Sequence, residues 1–144
     1  MTSSNGSVYA PAVVPGEVHT ALLNAGVIPE PYFQFNELAL KWVALDNWTF
    51  SRKFSAPATA PNASTFLQFD GLDTIASVRV NGELVGTSVN SFARWEVDLP
   101  AGLLKDGVDT NTISVAFTCA QCAGQDAAAK YPVPLREFRA NRCV

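Results

Sequence analysis

The chain has one histidine, His19, and it stands in the stretch Pro15–Glu37 with three carboxylates, Glu17, Glu30 and Glu37. Imidazole changes charge near neutral pH and a neighbouring carboxylate can orient it, so this grouping is the first candidate for proton transfer. A second candidate is the single CxxC, Cys119-Ala-Gln-Cys122, with a third cysteine at Cys143. A third is any pair among the 13 acidic residues, because paired carboxyl groups cleave glycosides when held about 5–5.5 Å or 6.5–9.5 Å apart.

Spacing completes none of these. Zinc takes four ligands, and His19 lies a hundred residues upstream of Cys119. The cysteines are therefore expected as reduced structural thiols, with a metal or redox role as the minor alternative. A Cys–His dyad exists only if the fold joins distant segments. Ser88, in "VGTSVN", lacks the second glycine of a nucleophile elbow, and no HExxH, GxxxxGK or GxGxxG occurs.

Among the acids, Glu17 reads as an anion at a helix start, and Glu30, between Pro29 and Pro31, as solvated surface. Asn36 and Glu37 sit beside Tyr32, Phe33, Phe35 and Trp42. Polar groups among aromatic rings suit sugar recognition, since ring faces meet C–H surfaces while amide and carboxylate groups take hydroxyls. The alternative is an aromatic segment buried against the body of the fold.

At 144 residues, 48% of them hydrophobic, the chain suits one domain with an ample core. A net charge of −3 offers no field for a phosphate backbone, so no nucleic-acid partner is expected. No apolar run approaches the roughly 20 residues of a membrane span, so no membrane partner is expected. The visible N-terminus, MTSSNGSVYAPAVV, has no signal-peptide pattern, which makes the cytoplasm the default compartment. Sequons at Asn5, Asn47 and Asn62 matter only in a secreted chain.

The elements that would position these residues come from periodicity. Residues 1–14 read as an irregular lead. Val18, Ala21, Leu22 and Ala25 form an apolar stripe that predicts a helix over 17–25, closed by Gly26 and barred from re-entry by Pro29. His19 falls on the flank of that stripe. From Trp48 the period becomes two. Trp48, Phe50, Arg52 and Phe54 share one face of a strand; further strands read at 65–69, 75–80, 83–85, 95–99 and 113–117. Asn81-Gly82 is a strong hairpin signal, because a type I′ turn needs positive φ at both central residues. Residues 121–130 are Ala-rich and read as a short helix. Short alternating strands between Gly, Pro and Asn turns imply an all-β sandwich or barrel with one helix ahead of it.

Three blocks, "VPGEVHTALLNAGVIPEPYFQFNE", "KWVALDNWTFSRKF" and "FDGLDTIASVRVNGELVGTSVNSF", together resemble the N-terminal domain of β-mannosidases in glycoside hydrolase family 2. The similarity runs from about Val14 to Phe117, with an echo at Tyr131–Pro134. It implies a jelly-roll β-sandwich, galactose-binding-domain-like, over residues 15–134, with 135–144 as a truncated tail. It also implies a partner (β/α)₈ barrel carrying two catalytic glutamates, a substrate ending in non-reducing β-mannose, and neither metal nor organic cofactor. Within the shared blocks Pro15, Gly16, His19, Asn81 and Gly82 are read as structural. His19 is expected to pack and hydrogen-bond so as to fix the helix. Asn36, Glu37 and Trp42 are read as the rim of a sugar subsite.

The departures from the family pattern are equally specific. Only 14 residues precede Pro15 and none is Trp, where the family has a strand with a tryptophan. A missing edge strand leaves its neighbour unpaired, so the isolated chain is expected to be marginal and prone to associate. Beyond Pro134 the sequence reads "LREFRANRCV"; Arg136–Arg139 echoes the family's next segment, but no Trp-Asp-Trp-Gly loop and no barrel residues come after it. The expectation is thus a glycosidase domain without catalytic residues of its own. A stand-alone carbohydrate-binding module and a non-functional fragment are the alternatives. Tyr32 to Trp42 should then form an exposed apolar patch.

Overall fold

In the computed structural model, which describes residues 1–57 and 64–133, the chain divides into two units: Met1–Trp48 together with the residues from Thr118 onward, and Thr49–Phe117. In the first unit the lead carries one short strand. β1 (Thr2–Ser3) bridges Tyr9 through Thr2, and Ser3 N–H donates to the Val8 carbonyl at 3.0 Å. The Met1 ammonium donates to the Ala10 carbonyl at 2.6 Å, and burial holds it below its ordinary pKa.

α1 (Val18–Asn24) forms where the stripe predicts, burying Ala21 and Leu22 while Ala25 stays exposed. Its end is a Schellman motif. Gly26 takes φ +68°, its N–H bonds the Leu23 carbonyl, and Val27 N–H bonds that of Leu22. Next come two short helices absent from the sequence reading, α2 (Asn36–Ala39) and α3 (Lys41–Leu45), and Leu40 and Val43 are buried. Trp48 donates its indole N–H to the Val43 carbonyl at 2.8 Å, bracing the end of α3. α4 (Ala120–Ala128) occupies the Ala-rich segment.

The second unit is the sandwich. Its strands are β2 (Trp48–Phe54), β3 (Phe66–Phe69), β4 (Ala76–Val80), β5 (Glu83–Ser88), β6 (Trp95–Asp98) and β7 (Asn111–Phe117). One sheet runs β2-β7-β4-β5 and the other pairs β3 with β6 antiparallel, Phe66 opposite Asp98 and Phe69 opposite Trp95. Leu72, Ala76 and Val78 are buried between them, with Leu67, Phe69, Val85, Trp95, Ile113, Val115 and Phe117 packed around. A fully buried Leu or Val side chain contributes roughly 1.5–3 kcal/mol. Phe50 meets Phe117 edge to face, centroids 5.8 Å apart.

The β4–β5 hairpin turns as its sequence predicts, with Asn81 at φ +52° and Gly82 at φ +90°. A bulge after Val78 leaves Gly86 opposite Val78. A Cβ placed on Gly86 would stand 2.8 Å from Cγ2 of Val97 on β6, so the missing side chain is what lets β5 and β6 approach. This is a β-sandwich of antiparallel strands, in which α2 and α3 add to the helices expected ahead of the strands and in the Ala-rich segment.

Candidate functional site

Folding of the first unit gathers much of the acid–histidine grouping. Glu17, the residue before α1, His19 and Thr20 on its first turn, and Glu30, Pro31 and Tyr32 from the loop after it line one depression of about 60 Å³. Glu37 does not line it. Glu17 accepts from the Thr20 hydroxyl at 2.7 Å, and Glu30 accepts from the Tyr32 N–H at 3.2 Å. His19 is half-buried and makes no side-chain hydrogen bond to another described residue. Ligand pockets run to about 300–1,000 Å³, which makes this depression a place for water rather than for a hexose.

Gly16 is required by space. A Cβ there would collide with the Val13 carbonyl, so the turn from Pro15 into α1 admits no side chain. Asn81 and Gly82 hold the hairpin turn in the second unit. Among the rim candidates, Asn36 opens α2 and uses its amide N–H on the Glu30 carbonyl at 2.9 Å. Glu37 is exposed in the first turn of α2. Trp42, on α3, is 38% exposed and lies 6.1 Å from Trp48, centroid to centroid. Around them Tyr32 at 76% and Phe35 at 77% face solvent, as do Phe33 and Leu38. The aromatic segment is therefore displayed and not packed into a core.

The other candidates dissolve or change. Ser88 is buried and donates to the Thr74 carbonyl at 2.9 Å, a structural hydroxyl. A cleft of about 280 Å³ beside the hairpin is lined by Leu84, Val85, Pro100 and Leu103 with one carboxylate, Glu83, so it offers no acid pair. Among the described residues no group of three or more His, Cys, Asp or Glu could hold a metal ion. No helix there is long and apolar enough to cross a membrane. Cys119 and Cys122, expected as reduced thiols, are joined as a disulfide with Cα atoms 5.3 Å apart, because the first turn of α4 folds the intervening two residues back. Cys143 and Asn62 lie outside the described residues. Asn47 accepts the Cys119 N–H at 2.7 Å through Oδ1.

Sequence reasoning missed α2 and α3. A signal was present in "NELALKWVAL", a run of good helix formers, but it is too short to separate from the aromatic loop before it.

The family model described as glycosyl hydrolase 2 galactose-binding domain-like matches residues 1–143. Bovine β-mannosidase is 44% identical over 98 residues, 67% of this chain and 11% of its own length. Rat β-mannosidase is 37% identical over 121 residues, 83% of this chain and 13% of its own. The crystal structure of β-D-mannosidase from Dictyoglomus thermophilum superposes with a TM-score of 0.80 at 29% identity, covering 92% of this chain and 16% of that one. The chain thus spans a small fraction of the length of the curated relatives it matches.

Proposed function

The chain belongs to the glycosyl hydrolase 2 galactose-binding domain-like family, as an N-terminal domain of the β-mannosidase-like kind, and from that premise we propose that its 144 residues are the non-catalytic sandwich of an enzyme hydrolysing terminal β-mannosides. The observation that carries this is coverage: nearly all of this chain superposes on a small part of a β-mannosidase. The exposed segment Tyr32–Trp42 is the face that packs on a catalytic barrel. Asn36, Glu37 and Trp42 are the rim residues beside the mannose; Glu37 and Trp42 reach solvent, and Asn36 donates to the Glu30 carbonyl. Residues 15–134 are the domain proper in this reading.

Hydrolysis needs an acid and a nucleophile in one cleft, and the depression beside α1 and the cleft beside the hairpin are respectively too shallow and supplied with a single carboxylate. The purified chain is therefore expected to leave an aryl β-mannoside intact and to bind mannose or mannobiose no tighter than about 1 mM, near −4 kcal/mol. Turnover abolished by replacing one acidic residue would overturn the proposal. Micromolar binding of mannobiose without turnover would replace it with a stand-alone carbohydrate-binding module, for which the displayed rings would be the platform.

A further inference from the structure

The two cysteines at the start of α4 are unequally exposed. Cys119 is 5% exposed, while Cys122 is half-buried and reaches the surface. Cys119 is also the residue that caps α4: its Sγ accepts the Cys122 N–H at 3.0 Å. Its own N–H is held by Asn47 Oδ1, and Cys122 Sγ lies 3.9 Å from the Leu45 carbonyl oxygen. Leu45 ends α3, the helix that carries Trp42.

We propose that Cys119–Cys122 is a thiol–disulfide exchange site for thiol reductants, in which the Cys122 sulfur is attacked and the Cys119 sulfur departs. A reductant thiolate adds to Cys122 Sγ along the S–S axis. That bond breaks with its electron pair moving to Cys119 Sγ, leaving a mixed disulfide on Cys122 and a thiolate on Cys119. The second thiol of a dithiol then attacks its own sulfur in the mixed disulfide, expelling Cys122 as thiolate. The protein pair gains two electrons and the dithiol becomes a disulfide; its two protons pass to the two cysteines. Two features set the direction. Cys122 is the sulfur an incoming thiolate can reach. The departing Cys119 thiolate is stabilised by the Cys122 N–H and by the positive end of the α4 dipole, and a stabilised thiolate is the better leaving group. In reoxidation the Cys119 thiolate closes the ring again.

The test uses the full chain carrying Cys143→Ser, so that only this pair reacts. Without denaturant, N-ethylmaleimide is expected to add nothing to the untreated protein and two groups after dithiothreitol, read by intact mass. With limiting glutathione and then an acid quench, peptide mapping should find glutathione on Cys122 over Cys119 by about tenfold, as expected when access and leaving-group stability favour the same sulfur. Mapping of the unsubstituted pair avoids dependence on Cys119→Ser or Cys122→Ser folding. Labelling of both cysteines before reduction, resistance to dithiothreitol until urea unfolds the chain, or glutathione equally or mainly on Cys119 would each overturn the proposal.

Discussion

Asn81 and Asn111 meet side chain to side chain: the amide nitrogen of Asn81 donates to Oδ1 of Asn111 at 2.8 Å. The same nitrogen donates to the Leu103 carbonyl at 2.8 Å, and Asn81 Oδ1 accepts the Thr112 N–H at 2.9 Å. Asn111, fully buried, also accepts the Lys105 N–H and donates to the Lys105 carbonyl, both at 2.8 Å. One asparagine thus supplies the left-handed turn residue of the hairpin and ties that turn to the loop entering β7.

Replacing Asn111 by Ala leaves the Lys105 N–H without its acceptor, reduces the Lys105 carbonyl to its bond from the Thr110 hydroxyl, and removes one bond of Asn81. A buried polar group left without its partner costs about 1–3 kcal/mol, so Asn111→Ala should destabilise by about 2–4 kcal/mol in urea unfolding. Gly82→Ala, which only strains a positive φ, should cost about 1–2 kcal/mol. The reverse ranking would show that the network is dispensable.

Gly86→Ala places a methyl against Val97, and overpacking of this kind costs about 1–3 kcal/mol. Val97→Ala should remove that penalty in part, so a double-mutant cycle is expected to show a favourable coupling of at least about 0.5 kcal/mol. Additive effects would mean that β5 and β6 are free to separate.

At Gly16 the obstacle is backbone. The Val13 carbonyl belongs to the chain itself and moves only with the whole turn. Gly16→Ala should lower the thermal midpoint more than Ala25→Gly, a change at the exposed helix end with a propensity effect of about 1 kcal/mol or less. Circular dichroism melts of the two variants compare them directly.

The displayed rings should behave as surface. Tyr32→Ser and Phe35→Ser are expected to shift stability by no more than about 0.5 kcal/mol, while reducing any self-association seen in sedimentation velocity, since exposed apolar patches mark association surfaces. Large destabilisation would place these rings inside a core instead. Trp48→Phe, which loses the bond to the Val43 carbonyl, should cost about 1–3 kcal/mol and serves as the contrast.

The strands were legible because their information is local. Alternation in Trp48–Phe54 and Asn111–Phe117, and the positive-φ pair Asn81-Gly82, are set by residues adjacent in the chain. α1 was legible for the same reason, from its stripe and from Gly26. α2 and α3, four and five residues long, were not, since helices so short do not hold by propensity alone and need the packing of Leu40 and Val43. For the candidate site, the sequence named His19 and the acids but not that Glu17 and Glu30 would flank it while Glu37 would not.

What the sequence by itself determined is the class of the chain: an alternating, turn-punctuated β-sandwich with family-specific blocks, because periodicity and turn chemistry act over a few residues. Tertiary structure alone decided that Cys119 bonds Cys122 rather than standing free, that Asn81 reaches Asn111, and that Gly86 makes room for Val97. These relationships depend on where a side chain points once the backbone has folded. Types and spacing along the chain do not contain that direction until distant segments have packed.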